Sequence, residues 1–170
     1  MKRNKPSPVF ESSATQDFDY VDSQESLETL IDELLLEERI AVDTEFHREK
    51  TYYPSVALVQ IAHSKGISLV DPLKVEPEVF AKLFDSDILI VMHAAGQDLE
   101  VFQHICGVVP RHLFDTQIAA GFIGMSTPSL ANLYEKQLGI KVKKEIRLTD
   151  WLARPLSESQ LEYAANDVRH

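Results

Sequence analysis

A single cysteine, Cys106, occurs among 170 residues. No internal disulfide can therefore brace the fold, and a reducing, cytoplasmic compartment suits it. No apolar run approaches the roughly 18 residues that a membrane-spanning helix needs. Residues 1–10 begin basic but lack the apolar stretch of a signal peptide. The chain has only six glycines and no glycine-rich phosphate loop, which argues against a nucleotide-cofactor enzyme. Its histidines, His47, His63, His93, His104, His112 and His170, show no paired spacing with Cys106 that suggests zinc. Positive charge is also short: the net charge is −10.

That charge is unevenly spread. Residues 1–38 hold ten acids against three bases, whereas residues 136–154 hold six bases against two acids. An acidic N-terminal part accounts for most of the imbalance, and the later basic stretch is able to meet phosphate. Residues 1–20 are rich in serine, proline and charge without periodicity, and are expected to form a disordered acidic leader to a domain over residues 21–170. An acidic protein that binds divalent cations can still act on nucleic acid, because the cations supply much of the positive charge.

Periodicity predicts the elements of that domain. Leu27, Leu30, Ile31, Leu34 and Leu35 form the stripe of a helix capped by Ser23 or Ser26. Residues 40–46 read as a buried strand interrupted by acids, and residues 55–62 and 66–70 as two further strands joined by a short turn. Asp71-Pro72 ends that run. A short helix over residues 77–84, a strand over 88–92 buried on both faces and a helix over 95–105 follow, the last with Leu99, Phe102 and Ile105 inward. Residues 112–114 suit a short strand, and Asp115 a cap for a helix over 116–122. Two more helices follow, one over 129–138 stopped by Gly139 and one from Glu158, capped by Ser157 with Gln160 completing a capping box. Three consecutive strands followed by helix–strand alternation predict an α/β fold, a mixed sheet covered by helices.

The chemistry-bearing residues are acids. Asp43 and Glu45 stand two apart on a strand and leave the same face. Alone, the pair reads more readily as two solvated acids after a strand that ends at Val42. Asp98 lies in the first turn of the helix after residues 88–92, where open α/β sheets bind ligands and where an acid is also an ordinary dipole partner. Tyr163 and Asp167 lie four apart, on one face of the last helix. The ordered combination is the informative signal. It resembles the DEDD exonuclease superfamily in its tyrosine-containing branch. The segments VDTEF (42–46), TYYP (51–54), HAA (93–95), DLEVF (98–102), DTQ (115–117), DWLARPL (150–156) and YAA (163–165) look like those of the ribonuclease D family. The resemblance covers about residues 22–170.

What the resemblance implies is a ribonuclease-H-like fold and a 3′→5′ exonuclease that releases nucleoside 5′-monophosphates. Its cofactors would be two divalent metal ions, Mg²⁺ or Mn²⁺, and its partner the single-stranded 3′ end of RNA or DNA. Asp43 would bridge both ions, Glu45 and Asp167 would complete the first, Asp98 would hold the second, and Tyr163 would orient the attacking water. Thr44 and Phe46 would pack against the terminal nucleotide, and His93 would contact the substrate backbone. Family members often carry an arginine two residues before the position of Asp150; here Leu148 stands there, so Arg147 or Lys144 is expected to compensate. Relatives also continue into helical domains that this chain does not show, and its last helix is expected to be cut short. RNA processing, of transfer-RNA 3′ ends among others, is the expected role. A DNA exonuclease of the same branch and a catalytically silent nucleic-acid-binding domain are the alternatives.

Overall fold

Two nine-residue strands, β2 (Arg39–His47) and β3 (Ser55–His63), form the antiparallel centre of a six-stranded sheet. They belong to a computed structural model that describes residues 17–47, 53–142 and 149–170. β4 (Gly66–Val70) and β1 (Asp19–Val21) extend the sheet beyond β3, while β5 (Leu89–Met92) and β6 (Leu113–Asp115) extend it beyond β2. The β3–β4 hairpin is antiparallel, whereas β1–β4, β2–β5 and β5–β6 are parallel. The sheet is therefore mixed, as expected.

Helices α1 (Gln24–Leu34), α2 (Phe80–Phe84) and α3 (Gly96–Cys106) cover one face. There Leu27, Ile31, Leu34, Leu83 and Val101 pack with Val42, Val59, Ile61 and Ile90 of the strands. Phe84 and Phe102 meet edge to face at 4.6 Å, an arrangement worth about 1 kcal/mol beyond the area it buries. The other face is covered mainly by α6 (Glu158–Val168), whose Ala164 and Ala165 are fully buried with Ala57, Leu58, Ile67 and Leu69. With only methyl groups at those two positions, the helix can lie close on the strands. α4 (Thr116–Gly121) and α5 (Leu130–Leu138) follow β6 on the same side as α6.

Several expectations need correction. Asp19 and Tyr20, assigned above to the leader, pair with Ser68 and Leu69 as an edge strand, while residues 1–16 lie outside the described residues. The strand at Leu89–Met92 is not buried on both faces: Ile90 and Met92 are, but Leu89 and Val91 are only partly covered, because α6 packs mainly on β2, β3 and β4. Leu35 is the C-cap of α1 and is exposed. In α3 the buried side chains are Asp98, Val101 and Phe102, with Leu99 and Ile105 at the rim. β6 begins one residue later than expected and includes Asp115. Among the described residues, no helix is long and apolar enough to cross a membrane.

Candidate active site

β2 pairs with β5 only over Arg39, Ile40 and Ala41. Its second half runs on with β3 alone beside it, and keeps Asp43 and Glu45 in the strand, opposite Gln60 and Leu58. The reading of a strand that ends at Val42 is therefore not what the chain adopts. Beyond β5 the chain turns through Ala94, whose φ of 57° is a left-handed conformation that costs a residue with a Cβ about 1–2 kcal/mol. Asp115 holds that turn. Its carboxylate accepts the N–H groups of Ala94 (3.1 Å) and Ala95 (2.9 Å), and those of Gln117 (2.8 Å) and Ile118 (3.3 Å) at the start of α4. Burial alone would raise its pKa, but these four donors hold it below the ordinary value. The expected cap is present and does a second task, because the pinned loop leads directly to Asp98. Asp115→Ala is therefore expected to cost about 2–3 kcal/mol, more than an ordinary cap. It should also lower turnover, by roughly tenfold, through displacement of Asp98; chemical denaturation and steady-state kinetics check the two effects.

Three elements bring the acids together. Asp43 and Glu45 come from β2, Asp98 from the first turn of α3 and Asp167 from the end of α6. Burial, followed by the charges of Asp98, Asp167 and Glu45, pushes the Asp43 carboxyl well above its ordinary value. Glu45 is pushed up to about 8 by burial and by Asp167 and Asp98. Asp167 is raised to about 6 by burial, against a hydrogen bond from Tyr163. Asp98, almost wholly buried, is raised by burial although the Thr44 hydroxyl donates to its Oδ1 at 2.5 Å. Among the described residues, no cationic side chain figures among the charges acting on Asp43, Glu45, Asp98 or Asp167.

Tyr163 is fixed from both sides of α6. Its hydroxyl lies under the influence of Asp167, and burial with the charges of Asp167, Glu45 and Asp43 raises the phenol pKa far above its usual value. Its ring lies 6.0 Å from that of Trp151. The Tyr134 hydroxyl donates to the Asp167 carbonyl at 3.3 Å, tying α5 to α6. The start of α6 carries the expected capping box, with Ser157 N–H donating to Gln160 Oε1 at 2.9 Å and Gln160 N–H to Ser157 Oγ at 3.2 Å. The segment before it is held by Arg154, which donates to both oxygens of fully buried Asp71 (2.8 and 2.7 Å) and to the carbonyls of Ala57 (2.6 Å) and Trp151 (2.7 Å). Nothing in the sequence reading marked this pair, since Asp71-Pro72 looks like a strand terminator.

The expected substrate contacts fare unevenly. Thr44 is buried with its hydroxyl on Asp98, and Phe46 is half-buried against the core beside the irregularity between Glu45 and Phe46. His93 has both ring nitrogens engaged, Nε2 at 3.1 Å from the Pro128 carbonyl and Nδ1 at 2.9 Å from the Thr116 hydroxyl. A carbonyl can only accept, so Nε2 carries the proton, and burial lowers the pKa so that the ring stays neutral. A contact to substrate through either nitrogen would require one of these bonds to break. Lys144 and Arg147 lie outside the described residues. A cavity of about 1100 Å³ opens beside Asp43, Tyr163 and Asp167 and continues between β5, α4 and α5 along Val91, Ala119 and Leu133.

The donor set fits a hard divalent cation. Its ligands are carboxylate oxygens with no sulfur or imidazole among them, and only positive charge relieves their mutual repulsion. As the side chains stand, no three His, Cys, Asp or Glu groups among the described residues form a closed metal cage.

Comparison with known proteins agrees with this picture. Residues 18–170 match the 3′-5′ exonuclease family. The chain is 48% identical over 135 residues to ribonuclease D of Xanthomonas oryzae pv. oryzae, an alignment that covers 78% of this chain and 37% of that protein. Its fold superposes on the crystal structure of Escherichia coli RNase D, described as an exoribonuclease involved in structured RNA processing, with a TM-score of 0.84 and 39% identity over 89% of this chain and 41% of that one. A Trypanosoma brucei RNase D complexed with RNA has a TM-score of 0.79 at 25% identity, over 90% of this chain and 59% of that one. The chain thus spans about two-fifths of the length of the bacterial relatives described here. Its sequence over residues 18–170, its mixed sheet and its ordered acids make it a member of the 3′-5′ exonuclease family, with ribonuclease D as its likeness.

Proposed function

We propose that this chain is a divalent-cation-dependent 3′→5′ exoribonuclease domain that releases nucleoside 5′-monophosphates from the single-stranded 3′ end of RNA, in RNA processing. The observation that carries this reading is the meeting of Asp43, Glu45, Asp98 and Asp167 with no balancing cation among the described residues, next to Tyr163 and an open cavity. The preference for RNA over DNA rests on the RNase D relatives and on the RNA held by one of them.

In this reading Asp43, Glu45, Asp98 and Asp167 would together hold the divalent cations, two Mg²⁺ or Mn²⁺ ions. When bound, such ions make water more acidic and neutralise charge on a phosphodiester. The residues of the chain supply the rest. Thr44 steadies Asp98 through its hydroxyl. Tyr163 stays protonated at any working pH, so its hydroxyl donates to Asp167 while its oxygen lone pairs accept from a water aimed at the terminal phosphate. Tyr163→Phe is accordingly expected to slow turnover by roughly a hundredfold while leaving Mn²⁺ affinity, measured by calorimetry, nearly unchanged; a large loss of affinity would show that the hydroxyl serves the cation site instead. The reading as a whole is tested by incubating 5′-labelled RNA and DNA oligomers with the protein in Mg²⁺, Mn²⁺ or EDTA. Stepwise shortening of RNA from its 3′ end, abolished by EDTA and slower on DNA, is expected; equal turnover in EDTA would overturn it.

A further inference from the structure

One polar residue interrupts the otherwise apolar stretch Val56-Ala57-Leu58-Val59-Gln60-Ile61-Ala62 of β3. Gln60 is fully buried, and among the described residues neither its Nε2 nor its Oε1 has a hydrogen-bond partner. Exchanging the two ends of the amide would not help, since both are unpartnered. A packed core is more stable with an apolar side chain than with an amide that bonds nothing. Such a group calls for a role outside the resting arrangement.

The neighbours of Gln60 point to that role. Val59 and Ile61 belong to the core under α1–α3, whereas Leu58 and Ala62 belong to the face under α6. Strand alternation puts Gln60 on the α6 face with Asp43 and Glu45. Its cross-strand partners are Leu69 on β4, which has nothing to bond, and Asp43 on β2. Directly opposed residues of an antiparallel pair have Cβ atoms about 5 Å apart, and Glu45 is only diagonal to it. A glutamine amide is long enough to reach a carboxylate across that gap.

We propose that Gln60 is a positioning residue for Asp43: in the cation-bound state its Nε2–H donates to the Asp43 carboxylate and fixes the direction in which that carboxylate presents its lone pairs. The inference rests on the reading of Asp43 as a cation ligand. Partners that orient a ligand in this way typically alter cation affinity or activity by about 10–100-fold when removed. A purely structural glutamine would instead affect stability, and here it has no bond to lose.

The test uses Gln60→Met, which keeps the side-chain length, and Gln60→Leu, which differs from it in shape. In EDTA both are expected to unfold at the wild-type temperature or above. Mn²⁺ binding by calorimetry should weaken by about tenfold, and turnover of a single-stranded RNA oligomer in Mn²⁺ should fall by at least as much. The proposal is overturned if both variants bind Mn²⁺ and cleave as the wild type does. It is also overturned if both unfold several degrees lower in EDTA, since that would reveal a structural bond. Wild type and Asp43→Asn are titrated alongside. Should Asp43→Asn bind Mn²⁺ as tightly as wild type, the reading of Asp43 itself fails, an outcome distinct from failure at Gln60 alone.

Discussion

Asp43→Ala, Asp98→Ala and Asp167→Ala are each expected to abolish release of mononucleotides in Mg²⁺ while leaving the protein folded and, without cations, as stable as wild type or more so. The acids crowd one region with no base from the described residues among the charges that act on them, so removing any one relieves repulsion that a bound cation would otherwise offset. The pH dependence gives this a sign. A carboxyl whose folded pKa lies above its unfolded value favours folding fully below the unfolded value and loses that contribution as pH rises through the folded one. For Asp167 the window runs from its ordinary 3.8 to about 6, and for Glu45 from its ordinary 4.5 to about 8. Thermal unfolding in EDTA should accordingly show wild type losing stability between about pH 4 and pH 8, and Asp167→Ala losing less. Millimolar Mg²⁺ or Mn²⁺ should flatten the wild-type curve. Near-native turnover by any of the three variants would remove that residue from the site.

Arg154→Ala is expected to be the most destabilising substitution considered, at about 3 kcal/mol. Removing one member of a buried ion pair leaves the other charge uncompensated, typically at a cost of about 3–5 kcal/mol. The lower end applies because Asp71 would keep the Tyr20 hydroxyl at 2.8 Å and the Leu73 N–H at 3.1 Å. For a chain of this size the loss corresponds to a fall in melting temperature of roughly 6–12 °C. Burial tends to raise the pKa of Asp71, but Arg154, Tyr20 and the Leu73 amide hold it below the ordinary value. Its contribution is therefore present above the ordinary carboxylate pKa and lost as pH falls through the folded one. Asp71 and the site acids thus oppose each other, one failing as pH falls and the others as pH rises from about 4 to 8. Wild-type stability in the substitution Arg154→Ala, measured by urea denaturation, would show that the clamp is not what secures the approach to α6.

The acids of the candidate site were legible before any coordinates through their ordered combination, which resembles ribonuclease D; their local spacings only showed which of them share a face. A period of two puts Asp43 and Glu45 on one side of a strand, and a separation of four puts Tyr163 and Asp167 on one side of a helix. Ser157 and Gln160 announced the start of that helix in the same way. What escaped notice depends on residues far apart. Arg154 and Asp71 are 83 positions apart, so neither can be recognised as the partner of the other. β1 has only three residues, too few for a period, and exists because β4 offers it an edge. Asp115 reads as a cap, but its bonds to Ala94 and Ala95 follow from β6 lying beside β5. The burial of both faces expected for β5 failed because hydrophobicity does not say which strands a helix will cover.

The route by which the chain reaches this arrangement follows from where its acids come from. Asp43 and Glu45 belong to the second strand, whereas Tyr163 and Asp167 belong to the last of the helices, so the meeting is among the longest-range in the fold. Long-range contacts form late, after the loops between them have been closed. On the ribosome, strands and helices appear in order from the N-terminal side. A partly synthesised chain would carry Asp43, Glu45 and Asp98 but no Tyr163, and could order its sheet without gaining a working centre. Docking of α6 would then switch hydrolysis on in a single late step. With the proposed activity, a protein made on an RNA template would be harmless to that template until its own translation had passed α6.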